Sequence, residues 1–247
     1  MRQFAVLGLP VHIHENYSAW LAQRLEAKQG VHVVTLNAEM TMQARQNQDL
    51  ATIVKQADLV VPDGSGIVLY LRSRGEKINR CPGIELSEQV VKLAAENQWR
   101  IFLIGGAPNI VDIVAQRWRQ KWQDIAIAGM HHGYFDPAIE QQICEQLQSS
   151  QPDLILVGLG VPRQEIWIQK YRHLCPNAVW IGVGGSFDIW AGKKNRAPEW
   201  LSKNHLEWLY RLYQEPWRWR RMLSLPHFVW CVSKESMLQR KSKIQKV

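Results

Sequence analysis

Seven short apolar runs punctuate the chain: FAVLGL, VHVVTL, DLVVPDG, RIFLIGG, IAIAG, DLILVGLG and AVWIGVGG. Between them, apolar residues return every three or four positions. That spacing predicts helices over Tyr17 to Lys28, Ala44 to Gln56, Leu86 to Asn97, Ile110 to Trp122, Ala138 to Ser149 and Arg163 to His173. Strands alternating with helices predict an α/β fold, with a largely parallel sheet flanked by helices. After Trp190 the texture changes. AGKKNRAPEW reads as a loop, Leu201 to Gln214 is amphipathic and aromatic, Pro216 interrupts, and Trp217 to Leu223 resumes a helical pattern. The expected organisation is a core over 1–196 and a C-terminal helical appendage over 197–247.

Most of the apolar runs end in glycine or Pro-Gly turns, at Pro62-Asp63-Gly64, Gly105-Gly106, Gly158-Leu159-Gly160 and Gly182-Val183-Gly184-Gly185. Ligands of open parallel sheets bind at that edge, where helix N-termini offer N–H groups to phosphate. Gly105, Gly106, Gly184 and Gly185 are therefore candidates for close backbone approach to a nucleotide, although turn geometry alone also explains glycine there. No turn completes the GxGxxG dinucleotide pattern and no GxxxxGK[ST] loop is present, so neither NAD nor ATP chemistry is signalled. His131 and His132 invite a metal or acid–base reading, but neighbours on a strand point to opposite faces, so a structural or lining role is expected.

Composition sharpens the picture in one place. Of the formal net charge of +8, seven charges fall between Trp200 and Val247, where ten basic residues meet three acidic ones. Trp200, Trp208, Trp217, Trp219 and Trp230 share that segment, and Trp mixed with Lys and Arg suits an anionic membrane interface. A basic, aromatic surface suits RNA equally well, and a plain solvated helix face is the bland explanation. No apolar run reaches the ~20 residues of a bilayer span, and the start has neither the apolar length nor the cleavage site of a signal peptide. The expectation is a cytoplasmic protein. Four scattered cysteines, Cys81, Cys144, Cys175 and Cys231, form no CxxC pair and read as buried or partly buried thiols.

Four blocks, in order, carry a resemblance: VVPDGSGIVLYLRSRG, NRCPGIEL, VGLGVPRQEIW and GVGGSFDIWAGKKNRAPEWLSKNHLEWLYRLYQEPWRW. They resemble the WecG/TagA/CpsF glycosyltransferases, and with IFLIGGAP and VVTLNAEM the resemblance covers nearly the whole chain. It implies a Rossmann-like core whose appendage completes the active site and helps target the inner face of the plasma membrane. It further implies an inverting transfer of a sugar from a UDP-sugar to a polyprenyl-diphosphate-linked sugar acceptor. The sugar classes are N-acetylmannosamine, its uronic acid, or a hexose or hexuronic acid. No metal, no cofactor and no nucleic-acid partner are implied. The chain likewise has no DxD triplet to hold a metal–diphosphate.

Residue by residue, the resemblance points to Asp63 as general base, since transfer to a hydroxyl requires removal of its proton. Without the resemblance, Pro-Asp-Gly is ordinary turn chemistry. Arg80 is implied to hold a diphosphate or the charge on the leaving group, and Gln164 to bond the sugar or acceptor. Thr35 and Asn37 are implied to contact donor or acceptor, a turn or helix cap being the competing role; Leu36 stands between them where the family commonly has proline. Arg211, Arg218 and Arg221 match appendage arginines implied to grip the donor diphosphate. They share one face if the helix continues past Pro216, and lipid phosphate is a competing partner. A mobile appendage implies oligomers that open to active monomers at the membrane. Two other classes stay in view: a non-catalytic basic membrane or nucleic-acid binding module, and a nucleotide-dependent oxidoreductase. The first predicts lipid or RNA binding without UDP binding, and the missing dinucleotide pattern counts against the second.

Overall fold

A computed structural model describes residues 1–198, 200–201 and 206–244, with the backbone alone at Arg211, Arg218 and 238–244. The first apolar run does not enter the main sheet. It folds on itself as an antiparallel hairpin, β1 (Arg2–Val6) against β2 (Leu9–Ile13), because Leu7 and Gly8 both take positive φ, at 48° and 80°. A two-residue loop of that kind matches strand twist and reverses the chain, which the unbroken apolar run conceals.

The other six runs form one parallel sheet, as expected. Its strands are β3 (Val31–Leu36), β4 (Leu59–Pro62), β5 (Ile101–Gly105), β6 (Ile127–His131), β7 (Leu154–Gly158) and β8 (Val179–Gly182), in the order β4-β3-β8-β7-β5-β6. The central strands are buried along nearly their whole length, as parallel strands covered on both faces must be. One covering layer uses α1 (Tyr17–Glu26), with Leu21 and Leu25 in the core.

The helix expected over Ala44 to Gln56 is two helices, α2 (Ala38–Gln46) and α3 (Gln48–Gln56). Asn47 between them is extended, and its side chain accepts from the Leu50 N–H, so it caps the second helix and ends the first. A further helix that periodicity did not single out, α4 (Ser65–Ser73), follows β4 directly. Then come α5 (Gly83–Glu96), α6 (Ile110–Lys121), α7 (Pro137–Ser150), α8 (Arg163–Tyr171) and a short α9 (Ser186–Trp190), close to the predicted positions where one was predicted.

The C-terminal segment is less regular than its sequence suggested. Among the described residues it forms α10 (Glu207–Gln214), a 3-10 turn over Pro216–Arg218, α11 (Trp219–Met222) and the long α12 (Ser224–Ile244). Pro216 therefore breaks the helix rather than bending it, so the continuous helix on which a common face for Arg211, Arg218 and Arg221 depended does not form. Helix α12 packs on α2 and α4 and buries Phe228, Cys231 and Val232 in the core around Leu50, Val54 and Leu71. No helix among the described residues is long and apolar enough to cross a membrane.

Candidate active site

Strand register assembles the site. Leu36 pairs with Pro62, so the residues that follow, Asn37 and Asp63, emerge side by side at the end of the sheet. The Asp63 N–H donates to the Leu36 carbonyl at 3.0 Å, and the Cys81 N–H donates to the Pro62 carbonyl at 2.9 Å. The second bond brings the NRCPG loop against Asp63. Two glycines make this closeness possible: a β-carbon on Gly64 would lie 2.8 Å from that of Asn37, and one on Gly83 would lie 2.7 Å from the Thr35 methyl.

Above these strand ends lies a cavity of about 190 Å³. Thr35, Asn37, Asp63, Arg80, Gln164, Gly184, Gly185 and Arg221 all line it, from parts of the sequence up to 186 residues apart. Gly105 and Gly106 do not. Gly105 packs on Gly158 and Gly106 on Ile110, so both are explained by close backbone packing at the neighbouring strand end. The Arg211 and Arg218 side chains lie outside the described residues.

Arg80 is the hub. Its Nε donates to the Asp63 carbonyl, and its Nη2 lies 3.5 Å from Asp63 Oδ1 and 2.7 Å from Glu207 Oε2. Burial pulls the guanidinium pKa down, but Asp63 and Glu207 outweigh it and hold it above its ordinary value. Arg80 thus already faces two carboxylates, one from the core and one from α10. Cys81, next in sequence, is not a competing nucleophile: burial, with Asp63 and Glu85 adding to it, pushes its thiol up to about 12.

Gln164 lines the cavity but is committed elsewhere. Its Nε2 donates to Glu165 Oε1 at 2.9 Å, and its Oε1 accepts the Gly184 N–H at 3.0 Å. Glu165 in turn meets His32 Nε2 at 2.8 Å, with both side chains fully buried. This chain of polar contacts ties the Gly184-Gly185 loop to the core beneath it. Asn37 likewise serves as a cap, its side chain accepting the Met40 N–H at 2.9 Å, while Thr35 Oγ1 lies 3.5 Å from the Gly182 carbonyl.

The appendage closes the other side of the cavity through ion pairs: Glu215 lies 3.1 Å from Lys194, and Arg221 lies 3.8 Å from Glu39. Within the core beside them, Lys194 also sits 2.7 Å from Asp188, and Arg196 pairs with Glu85. Sequence reading missed Glu39, Lys194 and Glu207. Glu39 and Glu207 fall inside the quoted VVTLNAEM and KNHLEW stretches, and Glu207 is one of only three acids in the basic tail. That rarity was the available signal. His131 and His132 also depart from expectation. The strand ends at His131, so the two rings are not forced apart and lie 4.3 Å from each other.

A parallel sheet with a polar cavity at its strand ends has the layout of an α/β ligand-binding protein. Residues 4–242 match the model of the glycosyl transferase WecG/TagA/CpsF family. A Bacillus spizizenii protein named N-acetylglucosaminyldiphosphoundecaprenol N-acetyl-beta-D-mannosaminyltransferase is 37% identical over 211 residues, covering 85% of this chain and 81% of that protein. A Staphylococcus aureus protein of the same name is 32% identical over 230 residues, covering 93% and 89%. The chain belongs to the WecG/TagA/CpsF family and is a glycosyltransferase.

Proposed function

We propose that this enzyme moves an N-acetylmannosamine-type sugar from a UDP-sugar to the sugar of a polyprenyl-diphosphate-linked N-acetylglucosamine, in building a cell-envelope polysaccharide. The names of its relatives support both sugars and the lipid-linked acceptor. The observation that carries the chemistry is the carboxylate of Asp63 in the cavity, seated beside Arg80 by backbone bonds from both sides.

In this reading Asp63 takes the proton of the acceptor hydroxyl as its oxygen attacks the anomeric carbon. The bond from that carbon to the diphosphate breaks, the electron pair leaves with UDP, and a single displacement inverts the centre. Charge then develops on the departing diphosphate, where fixed guanidinium donors stabilise it without a metal ion. Arg221 is suited to this role because its contact with Glu39 is long and its own side chain is more than half exposed, so the pair is weak. Arg211 and Arg218 belong to the same segment. Arg80 contributes once an incoming phosphate displaces Glu207, exchanging one anion for another. Thr35 and Asn37 shape the floor, and Gln164 positions the Gly184-Gly185 loop. The organisation that follows is a catalytic core over 1–196, with an appendage over 197–247 that completes the site and rests on the cytoplasmic face of the membrane.

UDP release from a panel of UDP-sugars, with a short-chain polyprenyl-diphosphate-sugar acceptor and EDTA present, tests this. Asp63→Asn is expected to lower kcat by about 10²–10⁴-fold with donor KM within a few-fold of wild type. Full activity in the variant would remove the base from Asp63. Absence of turnover with every donor would sink the reaction, and strict dependence on an added divalent ion would sink the metal-free mechanism.

A further inference from the structure

The cavity continues beyond Asp63. A second, open hollow of about 380 Å³ shares Asn37, Glu39, Asp63, Arg80 and Glu207 with it, then changes character. Its remaining wall is mainly apolar, formed by Leu69, Trp208, Met222, Leu225, Phe228 and Val229. Gly66 has no side chain, and the Phe228 ring lies against it, 3.3 Å from where a β-carbon would sit. A third hollow of about 380 Å³ shares Gly66, Leu69, Phe228 and Val229 with the second and extends along the same two helices to Ser73 and Met237. The three hollows thus adjoin as one track, ionic at the strand ends and apolar where the second and third follow the seam between α4 and α12.

Leu69 and Val229, half or more exposed, flank the track. Exposed Trp230 and Met237 stand on the same helix as Val229. Apolar side chains left in water along a groove that opens into a catalytic cavity mark a binding surface. Only one part of the proposed substrates joins a diphosphate to a hydrocarbon. We propose that this track receives the first isoprene units of the acceptor's polyprenyl chain, with the acceptor diphosphate at the end shared with Arg80. This rests on the proposed function. It means that the acceptor is recognised partly by its chain, and that α12 is a wall of the acceptor site.

The test uses the full chain, without membranes, and acceptors carrying the same sugar-diphosphate head with a methyl group, one isoprene unit or three. Wild type is compared with the Leu69→Gln/Val229→Gln double variant, both substitutions being at exposed positions. Wild-type KM is expected to fall at least about tenfold from the methyl to the three-isoprene acceptor, since burying two methylene groups is worth roughly that factor. In the double variant this gain is lost, while kcat and KM with the methyl acceptor stay within about twofold. A wild type indifferent to chain length, or a double variant that keeps the full gain, overturns the proposal. So does a chain-length effect that appears only when phospholipid vesicles are added, which would assign the effect to the bilayer. A change in self-association of the double variant in sedimentation, without loss of the gain, would assign the groove to a second copy. Absence of turnover in wild type with every acceptor, the three-isoprene one included, would instead sink the proposed function itself, and this inference with it.

Discussion

Asp63 and Glu207 face the same guanidinium, yet they reach it by different means. Asp63 stands at the end of a strand, fixed by its N–H bond to the Leu36 carbonyl, by the Cys81 N–H bond to the Pro62 carbonyl before it, and by a glycine pressed against Asn37. The Gly184-Gly185 loop beside it is tied to the buried His32–Glu165–Gln164 contacts. Glu207 stands on a short amphipathic helix whose exposed neighbours include Trp208 and Leu209. The C-terminal segment meets the core through the ion pairs of Glu207 with Arg80, Glu215 with Lys194 and Arg221 with Glu39, and through one buried stripe of α12. Exposed ion pairs are individually weak and buried ones repay little beyond their desolvation, so the attachment of this segment rests chiefly on apolar burial. The core half of the site is therefore held by backbone bonds and buried polar contacts, whereas the appendage half is held by side-chain ion pairs such as Arg80–Glu207.

Three changes test that contrast beyond the loss of kcat expected at Asp63. The largest is Phe228→Ala. Removing a fully buried aromatic ring costs about 3–5 kcal/mol. If α12 is the anchor, amide-exchange protection over 224–237 should collapse while that of the central strands persists; equal loss in both would mean the two halves unfold as one unit.

Asp153→Asn comes next and probes the rigid half from its far end. Asp153 accepts the Arg100 N–H at 2.8 Å and pairs with Lys28. Burial pushes its pKa up, but the Lys28 and Arg100 contacts outweigh this and hold it below the ordinary value of 3.8. A depressed carboxylate contributes stability that is fully present above its unfolded pKa of about 3.9 and is lost as pH falls through the folded value. The variant should lose about 1–3 kcal/mol near neutral pH and show a flatter acid limb in chemical denaturation below pH ~4. KM values should not move; a substrate-binding defect would show that the core is not the rigid partner.

The smallest effect belongs to Lys194→Ala. Its pairs with Asp188 and Glu215 are partly exposed, so stability should change by only about 0–1 kcal/mol. Donor KM, in contrast, should rise a few-fold as the appendage loosens, with kcat from saturating substrate little altered. A large stability loss without a change in KM would contradict the contrast.

Much of this was legible in the sequence because it is local. Strand and helix periods identified the parallel α/β core, the quoted blocks identified the family, and VVPDG placed Asp63 at a strand end. Where folding is set by a single residue's backbone, periodicity was blind: positive φ at Leu7 and Gly8 turned an apolar run into a hairpin, and Asn47 cut one predicted helix into two. Partners distant in sequence were beyond it altogether. Arg80 meets Glu207 across 127 positions, and Gln164 spends its amide on Glu165 and Gly184. The groove between α4 and α12 exists only once both helices are packed. The order of residues thus determined which elements form and which chemistry stands at their ends. Packing decided which charges face each other and where an apolar path leaves the site, because side-chain pairing at strand ends depends on neighbours that no local pattern encodes.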